Sequence, residues 1–128
     1  MGKSRIGGNM EFCKGNTLKF RFKRKDILGN IITEKATNVW FTVKINHNTE
    51  KILIQKTLEE GSIIFGDDYY YHVVINPEDT LNLDYGIYVY DIQIDVDGEI
   101  YTLKKDGVVN LLKRVTFDGG GTNERTIN

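Results

Sequence analysis

From Thr17 to Lys23 the chain alternates without a lapse. Leu18, Phe20 and Phe22 fall on one side, and Thr17, Lys19, Arg21 and Lys23 on the other. A period of two is that of an extended strand, and such a strand hides its apolar side by stacking against another layer. The signature recurs along the chain. Val39, Phe41, Val43 and Ile45 share one side of the next such segment, opposite Trp40, Thr42 and Lys44. Lys51–Leu58 puts Ile52 and Ile54 on one face and Leu53 on the other, and Tyr69–Ile75 sets Tyr69, Tyr71, Val73 and Ile75 against Tyr70, His72 and Val74. A long run from Tyr85 to Asp95, a partner from Glu99 to Lys105 and a final segment Val108–Phe117 follow.

Turn chemistry punctuates these segments. Gly29-Asn30 suits positive φ, Asn46–Glu50 is a polar loop, and Asp97-Gly98 is a favoured hairpin pair. Asp106-Gly107 reads as a further turn. Pro77 followed by Glu78 and Asp79 suits one short helical turn, because proline fits a first helical position and acids suit an N-terminus. Turn signals at intervals of about 8–12 residues predict an all-β sandwich of about seven or eight short antiparallel strands. Residues 1–9 read as an arm, with Met10 a candidate start; 10–117 read as one domain and 118–128 as a structureless tail.

Composition narrows the classes. A chain of 128 residues, 40% apolar and 27% charged, is long enough for one real core. Seventeen basic against eighteen acidic residues give a net charge of −1, so nothing in the balance asks for nucleic acid or a membrane surface. The single cysteine, Cys13, rules out an intrachain disulfide, and two histidines with one cysteine fall short of a structural zinc set. No apolar run nears the ~20 residues of a membrane span, and no apolar segment follows the basic start as in a signal peptide.

The stretch Asp84-Tyr85-Gly86-Ile87-Tyr88-Val89-Tyr90 resembles the tyrosine corner of immunoglobulin-like domains, in which a tyrosine hydroxyl reaches back to the preceding connection. The resemblance implies a structural corner made by Asp84, Gly86 and Tyr88, puts Tyr90 where antibody domains carry a cysteine, and likens Trp40 to the sandwich-core tryptophan. A wider resemblance runs from Met10 to Phe117. Gly15-Asn16-Thr17 before the first strand, the Pro77–Ile92 middle and the Thr102–Thr116 end are similar to small virion-associated proteins of tailed bacteriophages and prophages, including upper-baseplate and other tail-attached types. It implies an immunoglobulin-like β-sandwich that is a structural or adhesive module rather than an enzyme. It also implies virion localisation after assembly in the bacterial cytoplasm, other virion proteins as partners, and no cofactor.

Chemistry-bearing residues fit turns and faces better than sites. Asp95, Asp97 and Glu99 begin like a calcium loop, but its twelfth position is Asp106 beside two lysines, so a hairpin turn is expected and no metal. His47 stands in a polar loop, and His72 has no second ligand nearby in sequence. Cys13 shows no base partner. Glu78-Asp79 and Asp67-Asp68 are paired carboxylates whose use in glycoside chemistry would require a cleft. Lys19, Arg21 and Lys23 form a basic outer stripe, with Phe20 and Phe22 turned away from it; stacking on nucleic acid needs aromatics on the basic side. With Tyr70 and His72 they make the expected protein interface, open to a homo-oligomer. Two other readings compete: a carbohydrate-binding module on a tail, marked by exposed coplanar rings, and a free inhibitor of a host protein.

Overall fold

The computed structural model describes residues 9–113 and 123–127. They form β1 (Asn9–Cys13), β2 (Leu18–Phe22), β3 (Asn38–Lys44), β4 (Ile54–Thr57), β5 (Ile63–Phe65), β6 (Tyr71–Ile75), α1 (Pro77–Thr80), β7 (Gly86–Val96), β8 (Glu99–Leu112) and β9 (Asn123–Ile127). The larger sheet runs β1-β8-β7-β3-β4, the smaller β5-β6-β2-β9. β1 lies parallel to β8, and β9 parallel to β2; the other pairings are antiparallel. Consecutive β1 and β2 belong to different sheets. The chain changes layer at Gly15, whose φ of 84° a side chain would strain.

The apolar sides of the alternating segments meet between the sheets. Phe20 on β2 and Phe41 on β3 touch edge to face with centroids 4.9 Å apart, and Phe41 also lies 5.4 Å from Tyr90. Tyr71 stacks on Phe22 at 5.4 Å and meets Phe65 at 4.7 Å. Its buried hydroxyl accepts the Ala36 amide at 3.0 Å, so the one polar atom of that ring is satisfied.

Several sequence expectations change here. Trp40 is not a core residue: it faces outward, half-buried, opposite Gln93 and Thr57, and Phe41 holds the centre instead. The alternation had already put Trp40 on the side away from Val39 and Val43. Tyr69 does not belong to a strand. It sits at φ 67° in the turn before β6, where its amide donates to Gly66 O at 3.0 Å. Ile52 and Ile54 do not share the buried face, since β4 begins only at Ile54; Ile52 is exposed, while Leu53 packs against the core. Nine strands are described rather than seven or eight. Asn9 opens β1 instead of ending an arm, and residues 123–127 of the presumed tail form β9. Residues 1–8, 114–122 and 128 lie outside the described set, and with them parts of the expected arm, final strand and tail.

Asp106-Gly107 does not reverse the chain. β8 continues through both residues, and at two successive steps it uses one residue more than β7: between Tyr90↔Gly107 and Ile92↔Lys104, and again before Gln93↔Thr102. Such bulges bend a strand without ending it. Gly107 is required for packing, because a Cβ there would lie 2.2 Å from Cε2 of Tyr90. The Tyr90 ring lies over the gap that glycine leaves, and burial pushes its phenol pKa up.

Among the described residues one charged side chain, Lys56, is buried facing inward. Lys56 pairs across from Phe41, and its ammonium meets Asp79 of α1 at 2.7 Å, both side chains largely covered. Asp79 also accepts the Asn76 amide at 2.7 Å, closing the start of α1. A buried pair of this kind is costly to break from one side.

Gly107→Ala is expected to destabilise the fold by about 1–3 kcal/mol, read as a lower urea midpoint, because the added methyl overpacks Tyr90. In a Tyr90→Ala background the same substitution should cost far less, since the atoms it strikes are gone.

Candidate functional site

The outer face of the smaller sheet gathers the polar side chains that the sequence set apart. β2 and β6 pair with Arg21 opposite His72 and Lys19 opposite Val74. Tyr70 precedes β6 and folds over the stripe. The Arg21 guanidinium lies 4.2 Å from its ring centroid and the Lys23 ammonium 4.8 Å, while Lys23 Nζ donates to the Tyr70 hydroxyl at 2.7 Å. Two cations thus meet one tyrosine, Arg21 at its ring and Lys23 at its hydroxyl.

The β5–β6 turn supplies the counter-charge. Asp68 accepts from Arg21 at 3.3 Å and from the Tyr70 amide at 3.0 Å, and lies 3.0 Å from His72 Nε2. The His72 contact above all, then the Tyr70 amide, holds the Asp68 carboxyl below the usual carboxylate range. Gly66 makes room for this pair, as a Cβ there would come within 2.6 Å of Asp68 Oδ1 and 2.9 Å of His72 Nε2. Lys19 stays exposed, with Glu124 of β9 at its register position. Asp68 and Gly66 were missed as parts of the face. The only trace was the Gly-Asp turn signal before the tyrosines, which says nothing about where its carboxylate points.

The corner residues also come together. The Tyr88 hydroxyl donates to the Asp84 carbonyl at 2.5 Å, and the ring is 6% exposed. Gly86 opens β7 at φ 144°, a backbone setting that side chains avoid. Burial, then the nearby Asp84 charge, raises the Tyr88 pKa. Tyr85 instead points to solvent with Lys14 5.2 Å from its centroid.

The remaining candidates disperse. Asp95 Oδ1 accepts the Gly98 amide at 2.8 Å in the β7–β8 turn, Glu99 accepts the Tyr101 hydroxyl at 2.5 Å, and Asp106 lies 3.9 Å from His47. Among the described residues no group of three or more His, Cys, Asp or Glu is placed to hold a metal ion. Cys13 is a half-buried thiol at the end of β1. Asp67-Asp68 and Glu78-Asp79 flank opposite ends of β6. Its five residues separate them by roughly 16 Å at about 3.3 Å each, beyond the ~5–9.5 Å at which two carboxyls flank a glycosidic bond.

No family model, curated protein or solved structure matches the chain.

Two measurements follow from this geometry. Tyr88→Phe should lower stability by about 1 kcal/mol, the net worth of one hydrogen bond, with an unchanged denaturant slope. The Asp68 carboxyl carbon, followed by NMR, should titrate below an ordinary aspartate and move back up in His72→Gln. A depressed carboxylate pKa stabilises the fold above the unfolded value, and that contribution drains away as pH falls through the lowered one.

Proposed function

We propose that the chain is an immunoglobulin-like, non-enzymatic module of a tailed-phage or prophage particle, acting by contact with other virion proteins. The strand order supports the fold part of this reading. β2, β6 and β5 are neighbours in one sheet and β3, β7 and β8 in the other, as strands B, E, D and C, F, G are in immunoglobulin domains. Tyr88 then falls at the start of β7, the counterpart of strand F, with its hydroxyl bonded four residues upstream, and Tyr90 stands two residues on. Phe41 against Tyr90 occupies the inter-sheet region where antibody domains place tryptophan and a disulfide.

The observation that carries the functional part is the tyrosine held by two cations. Arg21, Lys23, Asp68 and His72 hold one another and Tyr70 in place on an outer sheet face. Arginine and tyrosine dominate many interface hot spots, and side chains fixed in advance lose little freedom on docking. The Arg21 guanidinium against the Tyr70 ring weighs against a glycan platform, which needs open rings in a row. The exposed tyrosines Tyr69, Tyr85 and Tyr101 lie on three separate turns and strands.

Mass spectrometry of purified particles from cells carrying the gene is expected to find this chain at fixed stoichiometry. Arg21→Glu with Tyr70→Ala should leave the circular dichroism spectrum unchanged and lower incorporation at least tenfold. A chain absent from particles, or incorporation indifferent to both substitutions, would sink the proposal.

A further inference from the structure

β8 is 14 residues long, yet β1 pairs only with its last turnless stretch, Val108–Leu112. From Glu99 to Asp106 the side of β8 away from β7 has no strand partner among the described residues. An unpaired edge offers a row of N–H and C=O groups to another strand. Apolar side chains stand along this one: Ile100 is 55% exposed, Tyr101 49% and Leu103 40%. Tyr101 lies opposite Ile94 and Ile100 opposite Asp95, so the two project to opposite faces of the sheet. Scattered apolar residues at a surface need no explanation, but three within four residues of an open edge are the setting for strand addition.

The charges along the edge are ordered. Asp95, Asp97 and Glu99 stand at the hairpin end, with Arg24 the cation near Tyr101. Lys104 and Lys105 stand at the other end, where Asp106 faces His47 at 3.9 Å. Edge lysines turn away most strands and guard against chance pairing. They accept a strand that brings an acid to the same point. An antiparallel copy of this segment does so, because its Glu99 arrives where Lys105 stands. A parallel copy would set acid on acid and lysine on lysine, and like charges directly opposite one another are destabilising.

We propose that two copies of this chain pair antiparallel along Glu99–Lys105 of β8, about a two-fold axis at Thr102. Glu99 of each copy then meets Lys105 of the other, Tyr101 meets Leu103, and the stem of Lys104 covers Ile100. The same edge is used on both sides, so the contact is isologous and closes at a dimer in which the two larger sheets run on as one. The bulges of β8 beyond Thr102 keep the paired stretch short. The contact therefore falls at the low end of specific interfaces, below about 1,200 Å² in total. This inference uses an edge of the larger sheet and stands apart from the particle reading, which uses the face of the smaller one.

Sedimentation velocity over about 10 μM to 1 mM covers the range of a weak, small contact. The wild-type chain should pass from monomer to dimer and stop there. Tyr101→Lys/Leu103→Lys, with wild-type circular dichroism, should stay monomeric. Glu99→Lys and Lys105→Glu should each weaken association about tenfold, because each turns two symmetric pairs from attraction to repulsion. Both changes in one chain should restore it. In a Cys13→Ser background, Thr102→Cys should give a disulfide-linked dimer in mild oxidant, since residues facing across an antiparallel pair stand about 4.5–5.5 Å apart. Gln55→Cys, exposed on β4 of the same sheet, should not. A wild-type chain that remains monomeric throughout overturns the proposal, as does growth beyond the dimer or a double charge variant no stronger than either single one. A monomer in which Thr102→Cys instead bonds within the chain to Lys3→Cys would give the edge to the chain's own first residues and equally overturn it.

Discussion

The contact of Phe20 with Phe41, edge to face across the two layers, is the constraint on which the rest of the structure depends. It joins an interior strand of each sheet, and Tyr90 extends it to β7 at the middle of the larger one. Rings of this size bury about 150–250 Å² each, so a few of them dominate a core. Their bulk also dictates what surrounds them. Tyr90 can lie flat against β8 only because residue 107 has no side chain, and β8 absorbs its two extra residues beside that contact. Tyr71 extends the same layer to the β2–β3 connection by accepting the Ala36 amide.

With the core closed this way, the outside is organised by two different means. On the face of the smaller sheet, side chains from separate strands and turns hold each other: Arg21, Lys23 and Tyr70, with Asp68 and His72 at the margin. At the ends, backbone turns do the holding. Asp26 ties the turn under Ile27 and Leu28, while Asp79 closes α1 and Tyr88 fastens the connection that follows it to β7. Both means fix geometry before any partner arrives, which lowers the entropic cost of association.

The sequence was most informative where alternation was strict. Leu18, Phe20 and Phe22 are buried as their spacing required, and so are Val39, Phe41 and Val43. It was least informative where a residue serves two purposes. Asp-Gly favours turns in general, yet Gly107 stands in a strand because of a ring carried by another strand. Trp40 is large and apolar, yet its parity set it outside. Lys56 reads as a solvent residue, and only α1, folded against the edge of the larger sheet, supplies the carboxylate that lets it face inward. Asn123–Ile127 is too polar to announce a strand by pattern, and in Asn9–Cys13 only Met10 and Phe12 mark an alternation. Each gains its place by pairing with a strand already anchored in a sheet.

By itself the sequence determined that this protein is all-β, which side of the β2 and β3 segments is buried, and that one short helical turn stands in the connection before β7. These are local properties, written in a period of two and in turn chemistry. Tertiary structure alone decided that Asp68 joins Arg21, that Tyr70 meets both Arg21 and Lys23, and that glycine stands beneath Tyr90. Each of those depends on which strands become neighbours and in what register. That pairing is set by the packing of the whole core, and no single segment of the chain encodes it.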